Sequence, residues 1–263
     1  MRQSGAVPSA PPSPTADGVA REVVDGVAVA FATSGPDRWR DRLDVLDEVE
    51  RDRLRALRHA PTAAAYATAH LLARDVVAGL TGIRPRDVRV ERHCPDCELP
   101  HGRPSLPDHP DLHLSLSRTT SLVVVAATRR GPVGVDVERV DGVAFEGFAE
   151  VALHPDERRG PDAGGPGRGT GVADAVAWVR KEAALKALGV GLRLDPASVT
   201  TPTTGAPHTV VPSWPAVVVH DVGSPVDGHV CAVALVVGDD HKTGENVSAA
   251  GDLTRGGGDA STR

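Results

Sequence analysis

The stretch "AWVRKEAALKALGVG", Ala177 to Gly191, poses the question on which the fold turns. Its alanine and leucine content predicts a helix, stopped at its C-terminal end by Gly189. At about 3.6 residues per turn, Trp178, Glu182 and Lys186 fall on one face, with Lys181 next to the glutamate. Taken alone, an exposed Glu–Lys pair at that spacing is worth about 0.2–0.5 kcal/mol and says nothing about function. The helix has to be read with the rest of the chain.

Some forty residues upstream lies "GPVGVDVERV" (131–140). Strand alternation puts Val135 and Val137 on one side and Asp136 and Glu138 on the other. Two carboxylates about 5 Å apart repel by about 3 kcal/mol at an effective dielectric of about 20. Two readings stay open from the residues alone: exposure to water, or a divalent cation between them. Oxygen-only ligands suit magnesium or manganese. Glu182, on a helix packed over the strand, is placed to be a third ligand, with Lys181 and Lys186 beside it for phosphate.

Bulk properties narrow the field. A chain of 263 residues can hold one large domain or two small ones. Its longest apolar runs, "SLVVVAAT" and "VCAVALVV", are strand-sized and far short of the roughly 20 residues a spanning helix needs, so no membrane partner is expected. The opening residues lack the apolar core of a secretory signal, and with only three cysteines the expected compartment is the cytoplasm. A net charge of −6 spread along the chain gives no reason to expect nucleic acid. Aromatics make up only 3%, so the core must be built from Val, Leu and Ala.

The Pro/Ser/Ala-rich residues 1–20 and the polar residues 239–263 read as disordered tails. Between them, "VDGVAVAFA" predicts a strand, "RWRDRLDVLDEVERDRLRAL" a helix, "AAAYATAHLLARDVVAGLTG" a second helix closed by Gly82, and "DVRVER" a short strand. "DLHLSLS", "SLVVVAATRR" and "GPVGVDVERV" predict three strands; the glycine-rich "GPDAGGPGRGTG" predicts a loop; "PAVVVHDV" and "HVCAVALVVG" predict a hairpin. This order indicates an α+β chain in two halves, about residues 21–130 and 131–238, without a strong internal sequence repeat.

Asp136-x-Glu138 followed by Trp178-x-x-Lys181-Glu182-x-x-x-Lys186 resembles the paired motif of the 4′-phosphopantetheinyl transferases, and specifically the longer, pseudo-dimeric Sfp type. Other segments are similar to that family in the same order, over about residues 40 to 238. "HGRPSLPD" resembles its Gly-Lys-Pro coenzyme A-binding turn, with Arg103 in place of lysine before Pro104. "LHLSLSRTTSLVVVAA" resembles its Asn-x-Ser-His-Ser strand and turn, with Ser117 retained and Leu116 where histidine is common; Arg118 is the replacement cation for the coenzyme's 3′-phosphate. "VALHPDERR" resembles the segment ending in a glutamate, here Glu157; "RLRALRH" and "LLARDVV" point to Arg58 and Arg74 at the nucleotide end. Val179 stands where the family often has threonine after the tryptophan.

The resemblance implies two similar α/β subdomains related by a pseudo-two-fold axis, an active site at their interface, and a monomer. It also implies an activity: transfer of phosphopantetheine from coenzyme A to a serine of an acyl or peptidyl carrier protein, releasing 3′,5′-ADP. Asp136, Glu138 and Glu182 would hold magnesium, with manganese as the alternative; Lys181 and Lys186 would contact phosphate; Glu182 and Lys186 would be the catalytic base and acid. Two other readings remain. One is a different magnesium-dependent phosphoryl or nucleotidyl transfer enzyme, although no Gly-x-x-x-x-Gly-Lys-Ser/Thr loop is present. The other is a non-catalytic module that binds carrier proteins. Cys94 and Cys97 with His93 and His101 have zinc-ligand chemistry but cramped spacing and no second Cys-x-x-Cys, so a turn is expected there in preference to zinc.

Overall fold

A computed structural model describes residues 19–35, 39–93, 102–143, 145–159 and 171–238. The chain opens with a hairpin, β1 (Val19–Val24) and β2 (Val27–Thr33), whose two-residue turn uses Asp25 at φ 47° and Gly26 at φ 74°. Both positive angles suit the twist of the flanking strands, the reason Asp-Gly is a favoured hairpin turn. The "VDG" expected inside one strand is therefore the turn between two. Val19 and Ala20, assigned above to the tail, belong to β1 and are buried.

The first expected helix is also shorter than its apolar spacing predicts. Residues 40–45 form a tight 3₁₀ turn, and α1 (Glu48–Ala56) begins only after Asp47, whose side chain accepts from Glu50 N–H while Glu50 accepts from Asp47 N–H. This reciprocal capping box fixes the start of the helix. α2 (Ala60–Thr81) follows and stops at Gly82 in the left-handed region, as expected. Two short strands, β3 (Glu91–His93) and β4 (Arg103–Ser105), pair with each other. β5 (His113–Arg118), β6 (Leu122–Thr128) and β7 (Val133–Arg139) then lead to the short helices α3 (Phe148–Ala152) and α4 (Pro155–Arg159). α5 (Val172–Leu188), β8 (Pro207–His208), β9 (Ala216–Val222) and β10 (His229–Val237) complete the chain.

Two four-stranded sheets result, in the orders β1-β2-β6-β5 and β7-β10-β9-β8. Their facing sides share one apolar layer that includes Val29, Phe31, Leu122 and Val124 from the first sheet and Val135, Val137, Val233 and Leu235 from the second. α2 covers the outer face of the first sheet through Ala69, Leu72, Ala73 and Val77. α5 covers the outer face of the second through Val179, Ala183, Ala184 and Leu185. The small side chains on both helices permit close approach to the strands, so a core poor in aromatics still packs. The two halves share a connectivity: strand, long helix, then two strands of which the last is central (β2, α2, β5, β6 and β7, α5, β9, β10). Among the described residues no helix is long and apolar enough to cross a membrane.

Candidate active site

The site begins with a missing side chain. Gly134, Asp136 and Glu138 share the face of β7 that α5 covers, while Val133, Val135 and Val137 point into the layer between the sheets. A Cβ on Gly134 would stand 2.0 Å from the Ala183 carbonyl oxygen and 2.4 Å from the Ala187 amide nitrogen. Only glycine lets the helix backbone rest directly on the strand. That contact brings the next helical turn, with Glu182 and Lys186, over Asp136.

Asp136 is 3% exposed. Its Oδ1 accepts from Lys186 Nζ at 2.6 Å and from Ser117 Oγ at 2.7 Å. Lys186 Nζ also donates to the Val135 carbonyl at 3.3 Å. Ser117 comes from β5, at the edge of the other sheet, and its neighbour Ser115 accepts from the Val135 N–H at 3.0 Å. The edges of the two sheets are thus stitched by two serine hydroxyls two residues apart, and one of them orients the aspartate. Asp136 Oδ2 and Glu182 Oε1 are buried without a partner.

Electrostatics couple the three carboxylates. Burial, then the charges of Asp136 and Glu182, push Glu138 up to about 7, against the pull of Lys186. Burial and the Asp136 charge likewise raise Glu182, again opposed by Lys186. Burial alone destabilises an ionised carboxylate, and each like charge adds to that cost, so the cluster is short of positive charge. Oxygen donors short of positive charge, two of them buried and unpaired, fit a hard divalent cation. As they stand, no three Asp, Glu, His or Cys side chains among the described residues converge closely enough to hold an ion; the Lys186 ammonium occupies Asp136.

Beside Asp136 opens a cavity of about 460 Å³ lined by Thr62 and Ala65 of α2, Leu116 to Thr120 at the end of β5, and Lys186. Arg118 stands at its lip, its guanidinium 5.5 Å from the centre of the Tyr66 ring. Tyr66 in turn lies on His70, with ring centres 4.2 Å apart.

The remaining expected residues lie elsewhere. Lys181 does not join the cluster: it is fully buried and donates to the Ala152 carbonyl at 2.7 Å, Glu157 Oε2 at 2.8 Å and the Pro196 carbonyl at 3.3 Å. Its expected phosphate contact is corrected on that ground, since all three ammonium protons are used inside the protein. Arg74, 2% exposed, is held by Glu50 Oε1 at 2.7 Å and Asp47 Oδ2 at 3.3 Å beneath α1, so it too is a buried structural cation where a nucleotide contact was expected. Arg58 is exposed between α1 and α2. Arg103 and Pro104 line a second, mainly apolar hollow of about 320 Å³ with Leu106, Pro107 and Leu112. The Arg103 guanidinium reaches the C-terminal cap of α5: a Cβ on Gly189 would lie 3.7 Å from its Nη1. Cys94, Cys97, His101 and the glycine-rich residues 160–170 lie outside the described residues.

Sequence reasoning missed the serine stitch, the role of Gly134 and the Glu157 hub. Only Gly134 had a local signal, a glycine inside an otherwise Val-rich strand.

Fold and site together define a mixed α/β protein in which Lys186 links a buried acidic cluster to a cleft that Arg118 also lines. Residues 132–234, from β7 through most of β10, match the family model of the 4′-phosphopantetheinyl transferase superfamily. The matched span contains Asp136, Glu138, Glu182 and Lys186. No curated protein matches the chain.

Proposed function

We propose that the protein transfers 4′-phosphopantetheine from coenzyme A to a serine hydroxyl of an acyl or peptidyl carrier protein, releasing 3′,5′-ADP. One observation carries this reading: the segment that matches the superfamily encloses the whole acidic cluster together with Lys186 at the cleft. Asp136, Glu138 and Glu182 would hold a magnesium ion, with manganese as the alternative. When bound, the ion supplies charge neutralisation at the pyrophosphate.

The chain's own residues do the rest. Ser117 keeps Asp136 turned toward the cleft. Lys186, once released from Asp136, carries its ammonium to the α-phosphate side and donates a proton as the P–O bond breaks. Glu182, whose affinity for protons is raised by burial and by Asp136, accepts the proton of the attacking serine. Arg118 faces the 3′-phosphate in place of the imidazole absent at Leu116, Arg58 serves the nucleotide end, and Arg103 belongs to the coenzyme A-binding turn.

The repeated strand-helix-strand-strand connectivity supports two subdomains, 21–130 and 131–238, related by a pseudo-two-fold axis, with the site at their interface. A site completed within one chain goes with a monomer, and the reaction with the cytoplasm. Chromatographic detection of 3′,5′-ADP tests the reading. Its release should require coenzyme A, magnesium and an apo carrier protein together. Release without carrier would favour a hydrolase, and no release with any carrier would leave only a binding module.

A further inference from the structure

We propose that Lys181 is a positioning residue that fixes α5, and with it Glu182 and Lys186, through its buried bond to Glu157, and that it never touches phosphate. The proposal rests on the functional reading above for its kinetic consequences, but its geometry stands independently.

Helical rotation of about 100° per residue turns Lys181 well away from Glu182. It enters a space closed by three other segments: α3 through the Ala152 carbonyl, α4 through Glu157, and residues 196–201 through the Pro196 carbonyl. Glu157 is itself a junction. Its Oε2 accepts from the His154 N–H at 2.8 Å, capping α4, and its Oε1 accepts from the Thr201 N–H. The pair therefore ties α5 to α3, α4 and residues 196–201. On the opposite side Gly134 allows direct backbone contact, so α5 is seated between a strand that admits it and a lysine that holds it. Burial depresses the Lys181 ammonium and Glu157 supports it. A cation with its three donors occupied by two carbonyls and a carboxylate has none left for a substrate.

The test uses the full chain and three variants: Lys181→Met, Glu157→Gln, and the double change Lys181→Met/Glu157→Leu. Removing one partner of a buried pair strands the other, whereas replacing both with apolar groups of similar size often restores stability. The double variant should thus be more stable than Lys181→Met, though below wild type because the backbone groups the pair served are left unpaired, and it should remain slow. All three should lose roughly tenfold to a hundredfold in kcat, the scale of a misplaced catalytic group, with KM for coenzyme A within about twofold of wild type. Amide hydrogen exchange of α5 should quicken in each, and calorimetric binding of 3′,5′-ADP should be unchanged. A raised KM and weakened 3′,5′-ADP binding in Lys181→Met but not in Glu157→Gln would overturn the proposal in favour of a phosphate contact. A double variant with wild-type turnover would overturn it in favour of mere stability. If the wild type transfers nothing to any carrier, the functional reading fails. Positioning is then decided by exchange alone, and unchanged exchange in α5 sinks it.

Discussion

Glu138→Gln removes one of the three mutually repelling carboxylates, and its effect on the metal-free protein can be worked out from the structure. An ordinary glutamate titrates at 4.5; burial and the charges of Asp136 and Glu182 hold Glu138 at about 7. The native state therefore binds this proton more tightly than the unfolded chain. The stabilisation is fully present below pH 4.5 and is lost as pH rises to about 7, after which it stays lost. At about 1.4 kcal/mol per pH unit that gap corresponds to about 3 kcal/mol. Glu138 keeps partial access to solvent, and screening reduces the expected value to about 1–2 kcal/mol. Glutamine has no proton to lose. In urea unfolding of chelator-treated protein, the variant should match wild type near pH 4.5 and exceed it by that amount at pH 8. Magnesium should then stabilise wild type at pH 8 by mass action and the variant much less. A variant less stable than wild type at pH 8, or a difference independent of pH, would refute the claim that the carboxylates repel in the absence of an ion.

Three further outcomes are expected. Gly134→Ala inserts a carbon 2.0 Å from the Ala183 carbonyl oxygen, so α5 must lift from β7; chemical denaturation should show a loss of about 1–3 kcal/mol, and turnover should fall with it. Arg74→Met leaves Glu50 buried without its guanidinium and should cost about 3–5 kcal/mol at neutral pH. Although burial raises Glu50, His70 and Arg74 more than offset it and bring it down to about 2, so this contribution is present above pH 4.5 and fades as pH falls toward 2; stability curves of the two proteins should converge in acid. Arg118→Ala should raise KM for coenzyme A by about tenfold, the loss of one charge-assisted contact, while leaving KM for 3′-dephospho-coenzyme A unchanged.

The parts of the site carried by short-range pattern could be read directly. Alternation put Asp136 and Glu138 on one face of β7, and helical phase put Glu182 and Lys186 together on α5 with its stop at Gly189. What failed was decided by direction or by distance along the chain. Lys181 looked like a phosphate contact because it adjoins Glu182 in sequence, yet one residue of helix points it to the other side. Arg74 looked like a nucleotide contact because its partners, Glu50 and Asp47, sit on a different helix and its cap. The bonds of Ser115 and Ser117 to Val135 and Asp136 had no local signal either, because nothing nearby in sequence says that β5 will lie against β7. The first hairpin was missed at Asp25-Gly26, although that dipeptide is itself a turn signal.

Whether the protein transfers phosphopantetheine is decided by the intact mass of an apo carrier protein after incubation with it, coenzyme A and magnesium. Wild type should add one phosphopantetheine group, and a folded Asp136→Ala variant none. An unchanged mass with every carrier tried, or an equal gain from the variant, would contradict the proposed function.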